Sequence, residues 1–200
     1  MNKPNLLFPT PVWTTQLNNY KVVNEEMYDF IKSEQTKDQV GINKSNVKGW
    51  HSKDFNLEMD QPQKFISFIL PAIEQVMIDM NWEKEKQIVK INNMWAIINT
   101  GGAANLRHQH GNSTISGAYY VRAPENCGDI VFYDPRPAPV YSHPNVITPN
   151  LLNAQVNSIS PKEGALVLFP SYLDHSVNEN KSKEERIVIS FNIKIQMKSN

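Results

Sequence analysis

Five histidines occur in the 200-residue chain, and two of them stand at i and i+2 in Leu106-Arg107-His108-Gln109-His110. In an extended strand, residues i and i+2 point to the same face. His108 and His110 can therefore aim two imidazoles at one point. His175 lies 65 residues after His110, just past the apolar run Gly164-Ala165-Leu166-Val167-Leu168-Phe169-Pro170, and could close a third side of a metal ion. A strand pair plus a remote ligand, with coordination positions left open, is the geometry that supports oxygen chemistry at non-haem Fe(II). Arg186 opens the last β-rich run, 11 residues after His175. An arginine facing such a pocket can hold a carboxylate through two parallel hydrogen bonds, as a 2-oxo acid on the metal would require at its far end. His51 and His143 stand alone and read as structural or solvated.

Strand parity tests this grouping. In Arg186 to Ile193, one face carries Arg186, Val188, Ser190 and Asn192; the other carries Ile187, Ile189, Phe191 and Ile193. The wholly apolar set belongs against helices or a second sheet, and the mixed set suits a pocket wall. In Ser116 to Val121, Ser116, Ala118 and Tyr120 share a face. Two small side chains there leave room for a ligand that the Tyr120 hydroxyl could reach. A solvated edge strand and a core tyrosine are the bland readings of the same residues.

The elements that position these groups fall into two halves. Residues 5–17 read as an opening strand at a sheet edge, because Pro9 and Pro11 cannot donate to a ladder. Residues 20–34 carry a helical apolar stripe, residues 36–58 read as a loop, and residues 61–82 form the longest helix candidate. Pro71 should kink or split that helix. From residue 87 onward, β-rich runs alternate with turns, at 88–99, 106–110, 115–122, 129–134, 155–159, 165–169, 175–178 and 186–197. This spacing predicts an α+β, mainly β chain: a jelly roll, or double-stranded β-helix, over 87–197, with an N-terminal strand and supporting helices over 1–86 packed on its outer face. One oxygenase-sized domain is expected over 1–200. The Pro- and Asn-rich stretch 135–153 is the longest loop and a candidate lid.

Composition narrows the function classes. Lys plus Arg equals Asp plus Glu at 20 each, and without a basic run no nucleic-acid partner is expected. Cys127 is the only cysteine, which rules out a disulfide within the chain and a thiolate zinc site. No stretch of about 18 apolar residues is present, so no membrane partner is expected. A cytoplasmic protein is the default, and aromatics ahead of residue 60 make a homodimer plausible.

Met94-Trp95-Ala96-Ile97-Ile98-Asn99-Thr100-Gly101-Gly102-Ala103-Ala104-Asn105-Leu106-Arg107-His108-Gln109-His110 resembles the strand–turn–strand that delivers the His-x-Asp motif in prolyl-hydroxylase-like 2-oxoglutarate/Fe(II) oxygenases. The chain is more closely similar to a family of 2-oxoglutarate oxygenases of bacteria and phages. These share an opening like Leu7-Phe8-Pro9-Thr10-Pro11-Val12, a Gly49-Trp50-His51-Ser52 segment, His-x-His ahead of Ser116-Gly117-Ala118-Tyr119-Tyr120-Val121, Asp134-Pro135-Arg136, and a Phe-Pro, His, Arg, Ser-Phe-Asn ending. The resemblance implies His108 and His175 as the first and last iron ligands, and Arg186, Ser190 and Tyr120 on the far carboxylate of 2-oxoglutarate. It implies Fe(II) as cofactor, 2-oxoglutarate and O2 as co-substrates, and hydroxylation of a small molecule or protein side chain, with succinate and CO2 released. A phage-encoded copy would work in the host cytoplasm. Trp95, Asn99, Asn105 and Tyr119 are then candidates to shape the pocket, and Asp134 to Arg136 to sit at its mouth.

One position departs from the superfamily pattern: His110 stands where Asp or Glu is usual. Three neutral imidazoles leave an Fe(II) site one positive charge richer than two imidazoles and a carboxylate. His110 is expected as the third ligand; water in its place, or Asn112, stays open. Two other readings compete. A cupin also uses His-x-His in a β-barrel, but its glutamate about four residues on is missing, since positions 114 and 115 are Thr and Ile. A non-enzymatic jelly-roll binding or structural module would leave the three histidines scattered.

Overall fold

The computed structural model describes residues 3–136 and 144–198. Its elements run β1 (Trp13–Gln16), α1 (Tyr20–Lys37), β2 (Asn46–Val47), β3 (Trp50–His51), α2 (Asp60–Asp79), a 3-10 turn (Lys84–Lys86), β4 (Gln87–Asn99), β5 (Ala104–His108), β6 (Ile115–Arg122), β7 (Ile130–Tyr133), β8 (Val156–Ile159), β9 (Ala165–Pro170), β10 (His175–Val177) and β11 (Arg186–Met197). Two antiparallel sheets result. One has the order β1-β9-β6-β11-β4-β3, the other β2-β5-β10-β7-β8. This is the mainly β, helix-backed jelly roll that the alternation of apolar runs and turns predicts.

The alternation of side chains sorts the core into two layers. Ile187, Ile189, Phe191 and Ile193 of β11, with Tyr119 and Val121 of β6, meet Met27, Phe30 and Ile31 of α1 and Phe65, Ile69 and Ile73 of α2. The opposite faces, with Ala118, Tyr120 and Val188, join Ile130, Phe132 and Phe169 between the sheets. One residue of slip would exchange these sets. Burying each large apolar side chain contributes about 1.5–3 kcal/mol, so register and packing reinforce each other. Tyr119 therefore lies on the helix side, where its hydroxyl donates to Asn24 Oδ1 at 2.6 Å. It does not shape the pocket, because an odd position on β6 points away from the second sheet.

Four elements differ from the sequence expectation, one of them β5, which spans Ala104–His108 and not 106–110. The opening strand shrinks to β1, four residues at the edge beside β9, while Leu6, Leu7 and Phe8 stay exposed. Helix α2 runs unbroken through Pro71. Pro71 and Ser67, whose carbonyl loses its donor, both lie on the exposed face, where water can serve the freed oxygen. The 36–58 loop contains β2 and β3, which pair with β5 and β4. Part of the 135–153 stretch, including His143, lies outside the described residues. Among the described residues, no helix is long and apolar enough to cross a membrane.

Candidate metal and co-substrate site

The two sheets enclose a cavity of about 890 Å³. The six residues expected to hold the metal and the co-substrate all line it: His108, His110, His175, Arg186, Ser190 and Tyr120. The ligand-capable atoms of His108, His110 and His175 all lie within 4.8 Å of one another. His108 and His175 face each other directly across the β5–β10 ladder, with ring centroids 4.3 Å apart.

Backbone carbonyls fix two of these rings. His108 Nδ1 lies 2.7 Å from Leu106 O, and His175 Nδ1 lies 2.9 Å from Leu173 O. A carbonyl can only accept, so each Nδ1 carries the proton and each Nε2 keeps a bare lone pair. That is the tautomer a metal requires, oriented by a second contact. Burial, and then the neighbouring imidazole charges, push the His110 pKa down to about 3. Burial and then His108 push that of His175 down to about 4. Both are thus held neutral and ready to donate. Three converging ring nitrogens that line an open cavity fit a divalent metal.

His110 reaches this cluster by a route the strand argument did not contain. Strand β5 ends at His108, so the i, i+2 alternation does not extend to His110. It belongs to the following turn, anchored by its N–H on Ser171 O at 2.9 Å. Its ring lies 5.0 Å from His108 and 5.1 Å from His175, centroid to centroid. Asn112, the open alternative, is not among the residues that line the cavity.

At the start of β11, Arg186 is 1% exposed. Its Nη1 donates to Gly128 O at 3.1 Å, its Nη2 approaches Asn105 Oδ1 at 3.5 Å, and Nε is buried without a partner. No carboxylate pairs with it among the described residues, and burial draws its pKa down. A buried, uncompensated guanidinium costs several kcal/mol, so the arrangement suits an incoming anion. Burial pushes Tyr120 up to about 12 against the pull of Arg186. Its hydroxyl remains protonated and able to donate.

The surrounding assignments divide. Trp95 and Asn105 line the cavity. Asn99 sits behind it, donating to Asn105 Oδ1 at 3.1 Å. Asp134 and Arg136 do not line it; their side chains pair with each other at 2.7 Å. His51, read from sequence as an isolated histidine in a loop, lines the cavity from β3. The signal for it was the Gly49-Trp50-His51-Ser52 segment, whose pairing with β4 only the fold reveals.

Comparison with known proteins places this geometry. The solved structures that resemble it include a prolyl-4-hydroxylase of Pseudomonas putida, with a TM-score of 0.63, 11% identity and 92% of each chain covered. A viral collagen prolyl hydroxylase of Paramecium bursaria Chlorella virus-1, in its 2OG complex, has a TM-score of 0.59 and 14% identity over 91% of this chain and 94% of that one. The epimerase SnoN, in complex with Fe3+, alpha ketoglutarate and nogalamycin RO, gives 0.68 and 9% over 95% and 82%. At such identities the likeness establishes the fold. No curated protein sequence matches the chain. Residues 93–192, half of the chain, match the family model described as "Putative 2OG-Fe(II) oxygenase". That segment spans all three clustered histidines and Arg186, and the protein belongs to this family of 2-oxoglutarate- and Fe(II)-dependent oxygenases.

Proposed function

We propose that His108, His110 and His175 hold the Fe(II) and that Arg186, Ser190 and Tyr120 hold the far carboxylate of 2-oxoglutarate. The observation that carries this reading is the pairing of two opposite needs within one cavity. Three imidazoles converge on one point, and the buried Arg186 guanidinium pairs with no carboxylate among the described residues. Bound iron and 2-oxoglutarate supply oxygen insertion coupled to decarboxylation, with succinate and CO2 released. The protein's residues do the rest. Arg186 orients the co-substrate through charge-assisted hydrogen bonds. Tyr120 and Ser190, which take no hydrogen-bond partner among the described residues, offer further hydroxyl donors. Apolar walls from Ile97, Phe169 and Val188 limit water near the reacting atoms.

The substrate of this proposal is a small molecule or a protein side chain, hydroxylated at carbon, with neither nucleic acid nor membrane as partner; the zero net charge supports the former exclusion. The 1–200 chain acts as one oxygenase domain, since the helices of the first half and the sheet of the second share one core. A cytoplasmic setting fits the lone, buried Cys127, and the exposed Leu6-Leu7-Phe8 opening offers a surface for a homodimer.

Anaerobic addition of Fe(II) and then 2-oxoglutarate to the metal-free protein tests the site. A weak visible charge-transfer band should form with 2-oxoglutarate and not with succinate, which lacks the keto oxygen. It should be lost in His108→Ala and His175→Ala. A band that survives both substitutions would place the iron elsewhere.

A further inference from the structure

His51 is held as firmly as the three clustered histidines, yet it is not one of them. Gly49 precedes it where a Cβ would overlap Asn99 Oδ1, so only glycine lets the chain pass this close to β4. Trp50 is buried and donates through Nε1 to Asp38 O at 2.8 Å. The backbone of His51 pairs with Ile97, and its carbonyl accepts from Ile42 N at 2.9 Å. Ser52 closes the clamp: its N–H donates to Ala96 O at 3.0 Å, and its Oγ accepts from Ala96 N at 2.9 Å. The imidazole itself lies parallel to the Trp95 ring, with centroids 5.7 Å apart and planes 6° apart. Trp95 in turn sits 5.7 Å from the His110 ring, so the wall formed by His51 and Trp95 leads directly to the candidate metal ligands.

The protonation pattern of this ring follows from its contacts. His51 Nδ1 lies 2.6 Å from Ser52 O, which can only accept. Nδ1 therefore carries the proton and Nε2 is an acceptor. Nε2 has no hydrogen-bond partner among the described residues, and it is not one of the sealed, unpartnered atoms of the interior. His51 is only 6% exposed and lines the cavity, so that remaining surface opens inward.

We propose that His51 is a substrate-recognition residue, whose Nε2 accepts a hydrogen bond from an N–H or O–H donor of the molecule to be oxidised. This rests on the oxygenase reading of the same cavity and extends it to a class of substrate: one that carries a hydrogen-bond donor near the carbon presented to the metal. Stacking on Trp95 fixes the acceptor's direction, and the carbonyl of Ser52 fixes its tautomer. A substrate lacking the donor leaves a buried acceptor unpaired, which is how a polar contact becomes selective.

The test uses the full-length protein loaded with Zn(II), which prevents turnover, and with 2-oxoglutarate, whose binding is first measured by calorimetry. Two matched pairs of probes are then titrated by ligand-observed NMR: acetanilide with N-methylacetanilide, and benzyl alcohol with benzyl methyl ether. In the wild type, the donor of each pair should bind about three- to tenfold more tightly than its methylated partner, the worth of one hydrogen bond. His51→Phe, which keeps a flat ring against Trp95, should abolish that preference without loss of 2-oxoglutarate binding. His51→Gln, which restores an oxygen acceptor, should recover part of it. Equal binding within both pairs, no binding of either donor, or a preference that survives His51→Phe would overturn the role of His51 while 2-oxoglutarate still binds. Failure of 2-oxoglutarate to bind the wild type would overturn the site reading itself, and this inference with it.

Discussion

At the scale of single residues, Arg186 combines a cost with a use. Its side chain is buried with one good hydrogen bond, one long one and an orphaned Nε. Replacing a buried, poorly compensated charge by an apolar side chain of similar length is often neutral or stabilising. Arg186→Met should therefore leave the ligand-free protein as stable as the wild type or more so, by roughly 1–2 kcal/mol in urea unfolding. The same substitution should weaken 2-oxoglutarate binding by about 2–4 kcal/mol, because charge-assisted hydrogen bonds to the carboxylate are lost. Fe(II) binding should persist, since Arg186 is not among the clustered histidines. A large loss of stability together with normal 2-oxoglutarate affinity would show a structural arginine instead.

Secondary-structure elements set what these residues can reach. Strand β11 is central, pairing β4 on one side and β6 on the other, and its alternation sends Arg186, Val188, Ser190 and Asn192 to the cavity. Helix α2 braces the opposite face through Phe65, Ile69 and Ile73. Pro71 interrupts its hydrogen-bond ladder on the exposed side without breaking the helix. Pro71→Ala should restore the donor to Ser67 O and raise stability by roughly 1–2 kcal/mol, less than the full cost of an interior proline because the unfolded chain gains freedom. Urea midpoints of the two proteins would decide it, and an unchanged or lower midpoint would count against that account. Packing tolerance differs at Gly117, where an added Cβ would overlap the Phe191 ring. That glycine leaves room for the Phe191 ring directly opposite it in the β6–β11 pair.

Over the whole molecule, the site is coupled to stability through protons. His110 and His175 have folded-state pKa values of about 3 and about 4, below the ordinary value of 6.5, mainly through burial. In the metal-free protein the unfolded chain then binds protons that the folded chain refuses. Above pH 6.5 both states are neutral and the stability is fully present. As pH falls from 6.5 towards 4 and 3, stability is lost. Urea unfolding of the metal-free protein at stepped pH should show this decline starting below 6.5, ahead of the ordinary carboxylate range. In His110→Asn the decline should be shallower, and an equal slope in that variant would refute the assignment.

Much of this architecture was legible in the sequence because short-range periodicity reports which face of an element is buried. The runs 115–122 and 186–197 coincide with β6 and β11 to the residue, and their parity separated cavity from helix faces. Tyr119, tried as a pocket residue, obeyed that parity and went to the helix side. Local patterns also carried the histidine spacing, the arginine that opens the last strand and the family resemblance. Tertiary structure decided what no local pattern encodes. His110 joins the cluster through a turn held by Ser171, not through strand alternation. His51 reaches the cavity because two-residue strands pair across a long sequence separation, and such pairings are specified by distant partners, not by their own few residues. Arg186 is uncompensated because no carboxylate among the described residues folds back onto it, a fact of three-dimensional arrangement that a chain with equal numbers of acids and bases conceals.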